Sequence, residues 1–415
     1  MRLLYSLLLT LLLPVALWAL QRRAMGSGAA PGRWRERLGW GTPVESELQL
    51  WVHAASMGEV QAASPLIDAA LERYGSGRVA ITTMTATGSV QVQQRWGSHL
   101  VHAYIPFDLP FLLRPLLNRW QPRRCVVMES ELWPNLFAEL RARRIPLLLA
   151  NARMSPRSRA RYARFSRWVR AILECVDIVA AQSEHDAQHY RELGAPRVQV
   201  CGNLKFDCRV PQAQAIVGKA LRTRLGAARP IWVAASTHRE EDSWALQAQR
   251  QVLDLLPDAL LILVPRHPQR FELAWEALQR SGLRVARRST ETFDGHTQVL
   301  LGDSMGEMFG YLAASDLAFV GGSLEPIGGH NVLEPAALGL PVLFGPHMHN
   351  FLAARALLLE AQGAIELADA SALAPAVTEL LGDRERSRRM GSQALAALQG
   401  HQGATERVMA LLDPA

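Results

Sequence analysis

The sequence predicts an α/β protein made of two doubly wound, Rossmann-like domains. Three observations carry this. From about Leu48 onward, apolar strand-like runs alternate with helical segments, the pattern of a parallel sheet with helices on both faces. The alternation lapses over a polar, weakly patterned stretch at about residues 207–230, then restarts. A chain of 415 residues with 49% hydrophobic content is long and apolar enough for about two such cores. Two sheets of this kind, joined by a linker, are expected to face a cleft between their carboxyl ends, where doubly wound sheets bind ligands.

The N-terminus comes first. Leu3 to Leu20 is a run of 18 residues without a charge, interrupted by Pro14 and followed by Arg22 and Arg23. That is at the short end for a spanning helix, which needs about 20 residues. A cleaved signal peptide is the rival reading, but Ala16-Leu17-Trp18-Ala19 lacks the small-x-small cleavage pattern. Arg22, Arg23, Arg33, Arg35 and Arg37 follow the segment, against Arg2 before it. This asymmetry places the body on the cytoplasmic side of an uncleaved anchor, residues 1–23. Residues 24–47, rich in Gly, Arg and Pro, read as a juxtamembrane linker.

The first domain is expected over residues 48–210. Its strands are Leu50 to Ala54, Val79 to Thr83, Val101 to Ile105, Cys125 to Met128, Leu147 to Ala150, Ile178 to Ala181 and Val198 to Cys201. Helices alternate with them, including one long helix from Ser155 to Leu173. The second domain is expected over residues 228–415. Its strands are Ile231 to Ala235, Leu260 to Val264, Val285 to Arg287, Val299 to Leu301, Leu317 to Val320 and Val342 to Phe344. An Ala/Leu-rich helical tail closes the chain.

Charge and cysteine content narrow the function classes. The net charge is +7, and Lys205 and Lys219 are the only lysines among 45 basic residues. The four cysteines show no CxxC spacing, so neither zinc nor a disulfide framework is indicated, and a reducing compartment fits. No loop has P-loop or GxGxxG spacing, which argues against ATPase and dehydrogenase readings.

Gly321 to Pro346 (GGSLEPIGGHNVLEPAALGLPVLFGP) is the most informative stretch. Four glycines within nine residues let the backbone turn sharply and approach a ligand. Asn331 reads as an N-cap of a helix from Val332 to Leu338, with Glu334 in its first turn. Strand, loop and helix N-terminus together read as an anion site, with Glu334 suited to ribose hydroxyls. Loops at other strand ends add to it. Arg266 in Pro265-Arg266-His267-Pro268 could hold a phosphate bidentately. Gly302 to Met308 opens a helix after another strand and offers a second set of N–H groups.

In the first domain, Glu59 follows the first strand in a Ser-x-Gly-Glu loop, the position of a candidate general base. With a reference pKa of about 4.3 it needs partial burial to act well. Thr82 to Ser89 is a hydroxyl-rich loop, for sugar hydroxyls or phosphate, or for caps and turns. Glu129 and Glu131 follow a buried strand; one is expected to cap the next helix and the other to face the cleft. Lys205 is placed to meet an anion. Arg153 to Arg170 carries seven arginines and no acid, with Tyr162, Phe165 and Trp168 at helical spacing. It reads as a core helix with a solvated basic face, a nucleic-acid helix, or a lipid-surface helix; the anchor favours lipid.

Together these motifs resemble one family. HAASMGEV, TTMTATGS, MESELWPNL, LANARMS, GNLKFD, AASTHREE, PRHP, GDSMGEM and GGSLEPIGGHNVLEP are similar, in order, to the motifs of 3-deoxy-D-manno-octulosonic acid (Kdo) transferases. The resemblance runs from about Leu48 to Phe351. It implies a GT-B glycosyltransferase fold in an inner-membrane enzyme of lipopolysaccharide assembly. It also implies CMP-Kdo as donor, a lipid A precursor as acceptor, inversion at the anomeric carbon, and no metal or cofactor. On the matching positions, it makes Glu59 the catalytic base and assigns Glu129 and Lys205 to transition-state stabilisation. Pro265, Arg266, Met305, Gly306, Glu307, Asn331, Val332, Leu333 and Glu334 match the CMP-binding segments. Ala54, Ala55 and Ala86 depart from the family pattern, but none is a proposed catalytic group. Two rivals stand beside this reading. A sugar-nucleotide epimerase shares the architecture but needs neither anchor nor basic helix. A membrane-tethered nucleic-acid-binding protein would use Arg153 to Arg170; the resemblance implies no nucleic-acid partner.

Overall fold

Among the described residues (2–27, 33–41 and 44–413 of the computed structural model) the chain forms two parallel sheets of seven strands each. The first contains β1 (Leu50–His53), β2 (Val79–Thr83), β3 (Val101–Tyr104), β4 (Cys125–Met128), β5 (Leu147–Ala152), β6 (Ile178–Ala181) and β7 (Val198–Val200). The second contains β8 (Ile231–Thr237), β9 (Leu260–Pro265), β10 (Val285–Arg287), β11 (Val299–Leu301), β12 (Leu317–Val320), β13 (Val342–Phe344) and β14 (Ala364–Glu366). Their orders are β3-β2-β1-β4-β5-β6-β7 and β10-β11-β9-β8-β12-β13-β14. The winding therefore reverses between β1 and β4 in one sheet, and between β8 and β12 in the other. Ligands of open α/β sheets bind outside the carboxyl ends of the strands at such a reversal.

The strands are apolar on both faces because helices cover both. Trp51, Cys125, Val127 and Leu149 point into one core of the first sheet; Leu50, Val52, Val126 and Met128 point into the other. Side chains alternate along a strand, so a continuous apolar run is stable only when both faces are buried. Each fully buried Leu or Val contributes roughly 1.5–3 kcal/mol.

The chain divides into Met1–Asp207 with His401–Ala415, and Cys208–Gly400. The expectation that the second domain runs on to residue 415 is corrected here. Helix Ala404–Leu411 packs in the first unit, and its Val408 and Met409 join the core that holds Leu50, Val52 and helix Met57–Tyr74. The Asp207 carboxylate accepts hydrogen bonds from Gly403 N at 2.7 Å and from Thr405 N, fixing the start of that helix.

Four other expectations change. The stretch at residues 207–230 contains helix Gln212–Leu225. Its Gly218 hid the helical pattern, and packing requires it: a Cβ there would lie 2.5 Å from Ala313 Cβ and 2.6 Å from Gly310 O. The helix expected from Ser155 to Leu173 is two, Pro156–Ala163 and Ser166–Leu173. Phe165 between them leaves helical geometry at φ −119°, ψ 35°. β14 was not foreseen. Of the juxtamembrane linker, residues 28–32 and 42–43 lie outside the described residues, but Arg33–Leu38 is a 3₁₀ turn docked on β3. There Arg33 donates to Ser89 Oγ at 3.0 Å, and Glu36 accepts from Tyr104 N at 2.7 Å.

The N-terminal helix runs Arg2–Ser27, and Arg2–Ala19, with mean hydropathy 1.8, is long and apolar enough to cross a membrane.

Candidate functional site

Glu59 lies in the first turn of helix Met57–Tyr74, directly after β1 and at the reversal of the first sheet. Ser56 caps that helix, accepting from Glu59 N at 3.3 Å. The Glu59 carboxylate reaches back to accept from Ala55 N at 2.7 Å and from Ser56 Oγ at 3.2 Å. This reciprocal cap fixes the side chain without saturating it. Burial raises its pKa from 4.5 to about 7; nearby Glu131 and Glu129 add to the rise, and the bonds from Ala55 and Ser56 oppose it. A half-buried carboxylate that titrates near neutrality can take a proton from a hydroxyl and still be ionised in water.

Glu129 lies at the carboxyl end of β4, across the reversal, in a left-handed backbone conformation (φ 56°) that is uncommon for a glutamate. Its N–H bonds Ala150 O at 2.8 Å, which holds this turn to β5. Its carboxylate faces Lys205 Nζ at 3.8 Å. Lys205 is carried by the short turn Leu204–Phe206, and Asn151 at the end of β5 holds that turn, accepting from Leu204 N at 3.0 Å. Asn151 is itself left-handed (φ 55°) and buried.

The expected split between the two glutamates is corrected. Glu131 accepts from Trp133 Nε1 at 2.9 Å. The cap of helix Pro134–Ala142 is Asp108, which accepts from Asn135 N at 3.1 Å and Leu136 N at 2.8 Å. In the hydroxyl-rich loop, Thr85 caps a helix through Gly88 N at 3.1 Å. Thr82 serves Trp51 Nε1 and His53, each at 2.9 Å. Caps and buried bonds thus account for these two hydroxyls.

In the second unit the loops after β8, β9 and β12 lie at adjacent strand ends. Pro265 is buried at the end of β9, and half-buried Arg266 follows, its N–H bonded to Thr237 O at 3.0 Å. Asn331 accepts from Leu333 N at 3.1 Å and donates to Glu334 at 3.1 Å, so it opens the short helix Leu333–Ala337. Val332 and Leu333 are buried beneath. Met305 and Gly306 are exposed, and Gly306 has the positive φ (79°) that favours glycine. Glu307 is held by Arg288 at 3.0 Å, by Tyr311 at 3.3 Å and by Ser304.

The expected source of the anion site is corrected. The N–H groups of Gly322, Ser323 and Leu324 all donate to Glu241, at 2.7, 3.0 and 3.0 Å. Gly328 N and Gly329 N return to Gly322 O, and His330 N to Gly321 O. The loop therefore spends these amides on its own shape. In the second set, Phe309 N donates to Gln214 at 3.0 Å, and helix Met308–Ala313 is only six residues long.

Comparison with known proteins decides the family. Residues 32–208 match the family described as 3-deoxy-D-manno-octulosonic-acid transferase (kdotransferase). A 3-deoxy-D-manno-octulosonic acid transferase of Haemophilus influenzae is 42% identical over 88% of this chain and 86% of its own length. The chain belongs to the Kdo transferase family. The namesake of Bordetella pertussis is 39% identical over 96% of this chain and 94% of its own. As such, the chain is a glycosyltransferase. Among solved structures, the UDP-GlcNAc 2-epimerase of Neisseria meningitidis matches with TM-score 0.54 at 14% identity, over 88% of this chain and 99% of that one. That likeness shows the shared GT-B fold.

Four residues of this Kdo transferase escaped sequence reasoning. Glu241 sits in His238-Arg239-Glu240-Glu241 and looks like an ordinary first-turn acid; its grip on a loop 81 to 83 positions away has no local signal. Asn151 shows none of its strain in its neighbours. His238 and His330 were inside quoted motifs, but only folding brings them to 2.9 Å.

Proposed function

We propose that the protein transfers Kdo from CMP-Kdo to a lipid A precursor, with inversion, at the inner membrane with its body on the cytoplasmic side. The observation that carries this reading is Glu59: a capped, half-buried carboxylate whose pKa is raised to about 7, beside Glu129 and its partner Lys205. Glu59 takes the proton of the acceptor hydroxyl as that oxygen attacks the anomeric carbon. The bond from sugar to phosphate breaks, and its electron pair stays on the phosphate oxygen. Lys205 offers a compact positive charge to an anionic group of the donor, and Glu129 orients it.

The second unit binds the donor's nucleotide. Pro265, Arg266, Met305, Gly306, Glu307 and Asn331 to Glu334 bind CMP, with Arg266 on the phosphate and Glu334 on the ribose hydroxyls. The acceptor brings an acylated, phosphorylated head to a lipid surface. The apolar helix at the N-terminus anchors the chain there. The exposed arginines of Arg153 to Arg170, with Phe165 outward, meet anionic head groups.

The test is incubation of the purified protein with CMP-Kdo and a tetraacylated lipid A precursor, read by mass spectrometry. We expect the acceptor to gain the mass of at least one Kdo unit. No gain in mass would overturn the function.

A further inference from the structure

The carboxyl ends of β8 and β12 carry a histidine each, at the reversal of the second sheet. His238 precedes helix Arg239–Leu255 and His330 lies in the loop after β12. Their rings are nearly parallel (8°) with centroids 5.2 Å apart, and their Nε2 atoms meet at 2.9 Å. His267, at the end of β9 beside Arg266, stands edge-on to His238 at 5.8 Å.

Two imidazole nitrogens at hydrogen-bond distance must share a proton. One ring donates Nε2–H and the other accepts, so the acceptor ring carries its own proton on Nδ1. The donor ring then has a bare Nδ1. A second proton placed there turns the donor into an imidazolium without breaking the bond between the rings, and a charge-assisted bond is stronger than a neutral one. The pair can thus gain a proton while the bond between the rings is kept, at the expense of the bond that the His238 ring accepts from the Glu241 amide.

The surroundings set which form is present. Burial holds both rings below the ordinary histidine range, and Arg266 acts in the same direction on each. Arg270, which pairs with Asp242, disfavours the proton on His238, and His267 disfavours it on His330. Glu241 and Glu325 favour it on His238. Glu241 is committed to the loop amides and to His238 N at 3.0 Å, and Glu325 to Glu240 N at 3.0 Å. An anion placed against Arg266 would offset a charge that opposes the proton on both rings and add an attractive one.

We propose that the His238–His330 pair is part of the binding site for the phosphate of a nucleoside monophosphate, and that it takes up a proton when that phosphate binds. This rests on the reading of the second unit as the CMP-binding unit. It places an adjustable positive charge where the leaving group gathers its own, in a loop whose amides Glu241 has already claimed.

The test is calorimetric titration of the full chain with CMP in buffers of different ionisation enthalpy, between pH ~7 and ~8. The second pKa of a phosphate monoester is about 6, so CMP is already doubly ionised there and proton uptake belongs to the protein. We expect net proton uptake with CMP and none with cytidine, and CMP affinity that weakens as pH rises. His238→Asn and His330→Asn should each abolish the uptake and weaken CMP by about tenfold or more. CMP binding without uptake in the unaltered protein would overturn the role of the pair and leave the donor reading standing. Uptake that persists in both variants would overturn it as well. Failure to bind CMP at all would overturn the donor reading and the pair with it.

Discussion

The role proposed for Glu59 rests on a fold that removes it from water and then only partly compensates it. Its carboxylate is about half ionised near pH 7, since burial raises its pKa to about 7. Turnover should therefore rise with pH up to about 7 and level off beyond, and Glu59→Gln should lower kcat by about 10²–10⁴ while leaving CMP affinity unchanged. A flat pH profile would remove Glu59 from the chemistry. The same shift acts on stability with a definite sign. Between 4.5 and about 7 the unfolded chain gives up this proton and the folded chain keeps it, so stability falls as pH rises through that window. Glu59→Gln should lose that part of the slope in chemical denaturation. Lys205 and Glu129 contrast with this. Their pair is 32% and 28% exposed at 3.8 Å, and such screened pairs contribute less than about 1 kcal/mol. Lys205→Ala should leave the unfolding midpoint almost unmoved and still lower kcat; a large fall in stability would make the pair structural. Glu334→Ala should raise the CMP dissociation constant and spare kcat at saturating donor. The strand-end positions of Glu59 and Lys205 were legible because each follows a strand in a short polar motif. The strain at Glu129 and Asn151 was not, because a left-handed residue other than glycine leaves no mark in composition.

The glycine loop after β12 illustrates what one element can and cannot reveal before it folds. Its glycines were read as letting the backbone turn sharply and approach a ligand. A Cβ on Gly321 would lie 2.7 Å from Ser236 O and 2.8 Å from Glu241, so what comes close there is the chain itself. The partner that shapes the loop, Glu241, is fully buried and about 80 positions earlier, and only the pairing of β8 with β12 brings the two together. Glu241→Ala would leave three loop amides and that of His238 without their acceptor, each costing about 1–3 kcal/mol if unsatisfied. We expect a lowered thermal midpoint and weakened CMP binding, with Glu241→Gln intermediate. If Glu241→Ala left both unchanged, the loop would hold its shape by other means. The same limit applies to the helix expected to run unbroken to Leu173. Its arginines and aromatics have helical spacing on both sides of Phe165, and periodicity alone does not report the one residue where the backbone turns out of the helix.

At the scale of the whole chain, both sheets were legible because alternation over hundreds of residues is a strong signal, but the path of the last residues was not. Amphipathic spacing in Ala404–Leu411 says that one face is buried and is silent about where. In the structure that face completes the core of the first unit, on the flank of helix Met57–Tyr74, whose first turn carries Glu59. Three further contacts secure it: Asp207 on Gly403 N at 2.7 Å, Arg407 on Cys201 O at 2.8 Å, and Arg73 with Asp413 at 2.7 Å. The outermost is an exposed pair of little value. The weight lies in Val408, Met409 and Leu412, whose burial contributes roughly 1.5–3 kcal/mol each. Removal of residues 401–415 should therefore destabilise the first unit by several kcal/mol and loosen the helix that carries Glu59. Residues Cys208–Gly400 contain all the residues assigned to CMP, so the truncated chain should still bind CMP while Kdo transfer is lost. A tail that merely capped the second domain would give the opposite pattern, with CMP binding lost first. Calorimetric unfolding together with CMP titration of the truncated chain separates the two.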